Sequence, residues 1–169
     1  MTIDPASDPV ARLVAYADPA LLIVTAAEGE RREGCLVGFS TQVSIDPALQ
    51  LVCVSEKNRT HELALRAALV GVHAVPSQRR DLAELFGGET GDELDKFERC
   101  EWSEGPEGVP LLDACPVRYA GRVLERIALG DHTGLLLEAA GAPGPDPGAP
   151  PEAPLRLSEA ERIEPGHEA

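Results

Sequence analysis

The pattern of apolar and polar positions divides the chain into helical and extended segments. From Pro9 onward, Val10, Leu13, Val14 and Ala17 recur at the spacing of one helix face, with Ser7 or Asp8 ahead as a cap and Pro9 suited to the first turn. Pro19 stops that helix, and residues 20–27 form a continuous apolar run that reads as a strand. A polar turn over residues 28–34 leads to a second, longer strand over residues 35–45, ended by Asp46-Pro47. Its odd positions, Cys35, Val37, Phe39, Thr41, Val43 and Ile45, make the expected core face at period two. Its even positions, Leu36, Gly38, Ser40, Gln42 and Ser44, are small and hydrogen-bonding apart from Leu36. Residues 49–55 predict a third strand.

The period then changes. Thr60 opens a helical segment in which Leu63, Ala64, Ala67 and Ala68 share a face, and residues 70–75 read as a short strand. Ser77 is the expected cap of a helix carrying Leu82, Ala83, Leu85 and Phe86. Residues 87–108 read as a polar loop with a short helix over 92–97, followed by strands over 114–129 and 133–140 that flank a Gly130-Asp131-His132 turn. The run APGPDPGAPPEAP at 142–154 blocks helix and ladder alike, so it is expected to be a linker or loop. Residues 155–163 are expected to return to the sheet as an edge element. One domain over 1–141, a Pro/Gly-rich stretch over 142–154 and a C-terminal segment over 155–169 of the same domain follow. This order of strands with helical insertions predicts a mainly β (α+β) antiparallel barrel with two or three helices, rather than an alternating parallel α/β sheet.

Composition narrows the function. The chain has 169 residues, 43% hydrophobic and 26% charged, enough for a packed core. Its net charge of -14 argues against general binding to nucleic acid or an anionic membrane, while leaving room for a local pocket for one small anion. No apolar run approaches the roughly 20 residues of a membrane helix. The opening Met1-Thr2-Ile3-Asp4-Pro5 lacks the features of a signal peptide, so a cytoplasmic protein is expected. Cys35, Cys53, Cys100 and Cys115 have no zinc-type spacing and the histidines are scattered, so buried free thiols and no metal site are expected.

Three segments carry candidate chemistry. The even face of the second strand reads either as a solvent-facing polar stripe or as a ligand wall, with Gly38 admitting a close backbone. Ser55-Glu56-Lys57-Asn58-Arg59-Thr60-His61 lies where a strand ends and a helix begins, where free N–H groups, a hydroxyl cap and an Arg suit a phosphate. Alternatively, Thr60 is only an N-cap and Arg59 only a surface charge. In Gly130-Asp131-His132, His132 is either a turn residue bonded to backbone or a pocket histidine. Adjacent strand residues point to opposite faces, which argues against an Asp131–His132 dyad. No Gly-x-Ser-x-Gly, Gly-x-Gly-x-x-Gly or Walker motif is present.

Taken in order, Leu22-Ile23-Val24-Thr25-Ala26, residues 34–44, Ile45-Asp46-Pro47, Asn58-Arg59-Thr60, residues 78–86, Asp95-Lys96-Phe97, Gly108-Val109-Pro110-Leu111 and Gly130-Asp131-His132 resemble the flavin reductase-like family. The resemblance implies an antiparallel split β-barrel with Greek-key-like connections that binds FMN or FAD and takes hydride from NADH or NADPH. By resemblance, Val37, Gly38, Phe39, Ser40, Gln42, Val43 and Ser44 contact the flavin ring and ribityl chain. Ser55, Asn58, Arg59 and Thr60 hold its phosphate, and His132 lies near the nicotinamide as the catalytic candidate. A homodimer and a partner monooxygenase are also implied, with a non-catalytic flavin carrier as the alternative. Leu36, Gly38-Phe39-Ser40 and Ala48 depart from the residues frequent in the family at those places.

Overall fold

The first helix begins and ends as its sequence dictates. In the computed structural model, which describes residues 7–88, 94–141, 152–160 and 163, helix α1 (Pro9–Ala17) is capped by the Asp8 carboxylate, which accepts from the Val10 and Ala11 N–H groups. Asp18 ends it in the left-handed region at φ 46°. No residue of α1 is buried; Val10, Leu13 and Tyr16 are 70%, 68% and 91% exposed, so the apolar stripe faces outward.

Strands β1 (Leu22–Glu28) and β2 (Arg31–Val37) form a tight hairpin around Gly29, whose φ of 61° suits a residue without Cβ. The polar turn is therefore shorter than residues 28–34, because Arg31 to Gly34 already belong to the ladder. The predicted long strand over 35–45 is two strands, β2 and β3 (Ser40–Ile45), broken at Gly38-Phe39. The break has a topological cause. The main sheet runs β2-β1-β5-β8-β9-β4-β3, with β4 (Ala48–Ser55), β5 (Leu69–Ala74), β8 (Arg118–Leu129) and β9 (His132–Gly141) between the edges. Its two edge strands are thus consecutive in sequence, and two residues must carry the chain from one edge to the other. That link curls the sheet into an open barrel, and Phe39 still accepts the Cys53 N–H at 2.9 Å. Every neighbouring pair is antiparallel, and β5 lies between β1 and β8 in the Greek-key-like manner.

The odd-position core face stops where β2 stops. Cys35 and Val37 are buried, but Phe39 and Val43 are each 49% exposed and Ile45 is 87% exposed. By contrast β1 is buried from Leu22 to Ala26 because both its faces are covered. Leu22, Val24 and Ala26 join the cluster around Val52, Val72 and Leu135; Leu21 and Ile23 join that around Leu82, Phe86 and Leu112.

Helices α2 (Arg59–Arg66) and α3 (Arg80–Gly88) cover the barrel. Ser77 does not cap α3, which starts at Arg80; the Ser77 N–H donates to Ala153 instead. Within the predicted loop, strands β6 (Trp102–Glu104) and β7 (Pro110–Leu112) form a second small sheet, too short for a period to be read. A 3-10 turn at Lys96–Glu98, capped by Asp95, replaces the helix expected over 92–97, of which residues 92 and 93 lie outside the described residues. Strand β8 starts at Arg118 rather than at residue 114, since Cys115 folds back onto the Leu112 carbonyl and Pro116 has no N–H to pair. Leu155 does return to the sheet, donating to Val75 at 2.7 Å and accepting from Leu21 at 2.9 Å, but the chain then turns into α4 (Leu157–Ala160). Most of the Pro-rich stretch (142–151) and residues 164–169 lie outside the described residues. All four cysteines are free thiols; Cys35 and Cys115 are buried, whereas Cys53 and Cys100 are only half-buried.

Candidate functional site

The site grows from one end of the β4–β9 pair. Ser55, the last residue of β4, lies opposite His132, the first of β9. Gly130, at φ 63°, and Asp131 make a two-residue turn that pairs Leu129 with His132 across the β8–β9 hairpin. His132 is therefore a strand residue rather than a turn residue. Asp131 is the turn residue, so the opposite-faces objection to an Asp131–His132 contact does not apply. The His132 Nδ1 lies 2.7 Å from the Asp131 carboxylate, and this hydrogen bond holds that carboxyl below its ordinary range. The Asp131 carbonyl accepts the Glu56 N–H at 3.0 Å, tying this turn to the one that follows β4. On its other side the imidazole faces the Phe39 ring, centroid to centroid 5.0 Å at 53°.

The β4–α2 turn is built by its own side chains. Asn58, not Thr60, caps α2, its Oδ1 accepting the Thr60 N–H at 3.0 Å. The Asn58 N–H donates to the Ser55 carbonyl at 3.1 Å, and the Lys57 N–H to the Ser55 Oγ at 3.4 Å. Thr60 is fully buried, with its hydroxyl beside the Cys35 thiol, which burial pushes up to about 11. Its side chain therefore faces the core and not the surface where a phosphate would sit. The Arg59 Nε lies 3.4 Å from the nearly buried Glu33 carboxylate, which also pairs with Arg31 at 3.4 Å. Arg66 adds ion pairs to Glu28 at 2.9 Å and Glu62 at 3.1 Å, so α2 is fastened to the β1–β2 hairpin by a charge network. His61, which the sequence did not mark as a site residue, hydrogen-bonds Thr133 at 2.8 Å through Nε2 and joins the start of α2 to the start of β9. No spacing signal gives this pair away, since the partners are 72 residues apart.

Phe39, Ser55, Asn58, Arg59 and His132 thus meet at one end of the sheet. Val37 does not present its side chain, which is buried at 3% exposure. Gly38 and Ser40 flank Phe39 where the chain crosses between edges. Gln42, Val43 and Ser44 lie further along β3, opposite Leu49 and Gln50. A bulge between Gln42 and Ser44 leaves Val43 out of the pairing, a device common beside binding sites. Gln42 also borders a groove of ≈ 380 Å³ with Leu49, Gln50, Tyr119 and Leu137. Five residue steps along β4 lead from Gln50 to Ser55, about 16 Å at ~3.3 Å per residue. The predicted residues therefore line a track rather than a single pocket.

Over residues 14–151 the chain matches the Flavin reductase like domain. The chain belongs to the flavin reductase-like family. Among relatives of this flavin reductase-like protein, the FMN reductase (NADH) RutF of Stutzerimonas stutzeri is 30% identical over 131 residues, 78% of this chain and 72% of that protein. The reductase component of an FADH(2)-dependent resorcinol hydroxylase from Rhizobium sp. is 29% identical over 113 residues, covering 66% of this chain and 63% of the relative. The crystal structure of an FMN-binding protein from Thermus thermophilus with bound p-hydroxybenzaldehyde superposes with a TM-score of 0.77 at 26% identity, over 92% of this chain and 89% of that one. The split barrel expected of a flavin reductase-like chain is thus the fold observed. Among the described residues, no helix is long and apolar enough to cross a membrane, and no group of three or more His, Cys, Asp or Glu could hold a metal.

Proposed function

We propose that the protein is an NADH-dependent flavin reductase that binds FMN along the β3 edge and the β4–α2 turn. The observation that carries this reading is the meeting of Phe39, His132 and the Ser55–Arg59 turn on a flavin reductase-like fold. The residues fit a flavin nucleotide in length and in chemistry. The track from the Val43 bulge to the Ser55–Arg59 turn is about 16 Å long, matching a ring, a sugar-like chain and a phosphate laid end to end. At one end Arg59 and the Ser55 hydroxyl supply cationic and hydrogen-bonding partners for phosphate. From there the track runs past Gly38, Phe39 and Ser40 to the Val43 bulge, and this stretch offers apolar surface and the unpaired Val43 peptide to a flat ring. Thr60 and Val37 serve this site from behind, as packing.

Bound flavin supplies the hydride acceptor, so the protein needs no nucleophile of its own. The work left to the chain is orientation. Phe39 and His132 form a wall against which the nicotinamide is held at close range, and Asn58 fixes the turn that grips the phosphate. The relative named an FMN reductase (NADH) supports FMN and NADH as first choices. The hydroxylase reductase component supports a flavin-dependent monooxygenase as the consumer of the reduced product. The outward apolar stripe of α1 and the exposed Val43 and Ile45 support a homodimer that covers them. Four free cysteines suit the reducing cytoplasm.

An anaerobic absorbance spectrum with FMN, before and after NADH and then NADPH, tests this reading. Bleaching of the oxidised band by NADH, well above a protein-free control, is expected. A band shifted by binding but bleached by neither donor overturns the reductase in favour of a flavin carrier.

A further inference from the structure

We propose that the C-terminal segment straps the binding site in place, with Leu157 as the positioning residue that holds the Gly38–Phe39 crossover for a flavin. The proposal rests on the flavin-binding reading above and adds to it a residue beyond 14–151, the span of the family match. The crossover needs such a support. Gly38 and Phe39 belong to neither β2 nor β3, and their backbone is tied to β4 by the Cys53 N–H, which donates to the Phe39 carbonyl at 2.9 Å. Phe39 is half-exposed, so its ring is not clamped by the core. Packing beneath Gly38 therefore sets where the crossover lies. A Cβ placed on Gly38 would stand 3.8 Å from Leu157 Cδ1 and 3.8 Å from Leu21 Cδ2, ordinary contact distances. Leu21 is fixed in the core; Leu157 arrives from the far end of the chain.

The segment is tied down on both sides of Leu157. Ahead of it, Leu155 is buried and bonded to Leu21 and Val75, and the Leu157 N–H itself donates to the Pro19 carbonyl at 3.0 Å. After it, the Ser158 N–H and hydroxyl both donate to the Asp18 carboxylate, at 2.8 and 2.9 Å. The Arg156 guanidinium reaches the Asp18 carbonyl at 3.2 Å, and that of Arg80 donates to the Glu159 carbonyl. Asp18 thus ends α1 and fastens the strap with the same residue. Leu157 is half-buried and packs with Ala160 and Ile163 on the cluster around Leu82 and Phe86. Leu36, two residues before Gly38 and on the same face of the strand, packs on that cluster too. The ties at Asp18 and Pro19 lie outside the main ladder, so cutting one frees the crossover without parting any strand pair.

The test compares the full chain with Leu157→Ala, Leu157→Met and Asp18→Gly. Glycine suits the φ of 46° at position 18, so Asp18→Gly removes the carboxylate and leaves the end of α1 unstrained. Backbone ¹⁵N order parameters without flavin are expected to fall at Gly38 and Phe39 in Leu157→Ala and Asp18→Gly. Leu157→Met, whose long apolar side chain still reaches Gly38, should keep the wild-type values. Titration with FMN is expected to give Leu157→Ala a Kd raised about tenfold and Asp18→Gly about threefold, because a loosened crossover must be ordered again on binding. Leu157→Met should bind as the wild type. At saturating FMN and NADH kcat should stay within about twofold, and urea midpoints should fall by no more than about 0.5 M. Leu157→Ala with an unchanged Kd, or with unchanged order parameters at the crossover, overturns the proposal, whatever its loss of stability. If the wild type binds no FMN, the flavin reading falls, and with it the ligand half of this one. The order parameters, measured without flavin, still decide whether Leu157 holds the crossover.

Discussion

His73 and His132 sit in two regions of one sheet and show what each region is for. His73, on β5, is fully buried, and both its nitrogens are satisfied by backbone groups of β1 and β7. Burial disfavours its cation and pushes its pKa down to about 4. His132, at the start of β9 on the rim of the sheet, is partly open and bonded only through Nδ1 among the described residues. The glycines repeat the contrast. A Cβ on Gly71 would stand 2.3 Å from Thr25 Oγ1 and 2.8 Å from the Pro110 carbonyl; one on Gly38 would meet nothing closer than 3.8 Å. The interior uses a polar or small residue because nothing else fits, with its hydrogen bonds closed. The edge leaves room and unfilled bonding capacity, and that is where a ligand has something to gain.

The largest test of this contrast is Gly71→Ala. The added methyl collides with Thr25, His73 and backbone, and strains the Thr25–Pro110 hydrogen bond of 2.6 Å. A loss of about 3 kcal/mol or more in urea unfolding is expected. Next is acid. An unfolded histidine titrates near ~6.5, so between pH ~6.5 and about 4 the unfolded chain binds a proton that folded His73 refuses. The stabilisation from neutral His73 is complete above that window and is lost as pH falls through it, up to about 3 kcal/mol. Urea midpoints over this range should fall more steeply for the wild type than for His73→Gln; parallel curves would remove His73 as the cause.

At the edge the effects move from stability to activity. His132→Ala is expected to lower NADH-dependent flavin reduction about tenfold, equivalent to about 1.4 kcal/mol in the barrier, with unfolding changed by under about 0.5 kcal/mol. A variant that instead loses stability and keeps its rate would place His132 with His73. Smallest is Gly38→Ala, which has space for its methyl and no positive φ, and should shift unfolding by less than about 1 kcal/mol. A shift as large as that of Gly71→Ala would erase the distinction between the two regions.

Much of this was legible in the residues. The α1 cap at Asp8 and Pro9, the apolar run of β1, the long β8–β9 hairpin and the order of family-like segments all follow from local chemistry and period. Local signals also marked the Gly130-Asp131-His132 and Ser55–Thr60 segments as the places to look. What they missed was direction. Thr60 has the residue type of a phosphate ligand, yet its place two residues after the Asn58 cap turns its hydroxyl inward to Cys35. The period-two pattern ran unbroken from Cys35 to Ile45, because Gly38-Phe39 changes the strand's partner without changing its alternation.

The sequence by itself determined the types of the longer elements, the mainly antiparallel class and which short segments carry chemistry, because helix caps, turn residues and hydrophobic period act within a few residues. Only the tertiary structure decided that β2 and β3 stand at opposite edges of one sheet, that Asp131 reaches His132, and that His61 meets Thr133 while His73 is enclosed. Those outcomes depend on strand order and register, which are fixed by packing between segments far apart in the chain.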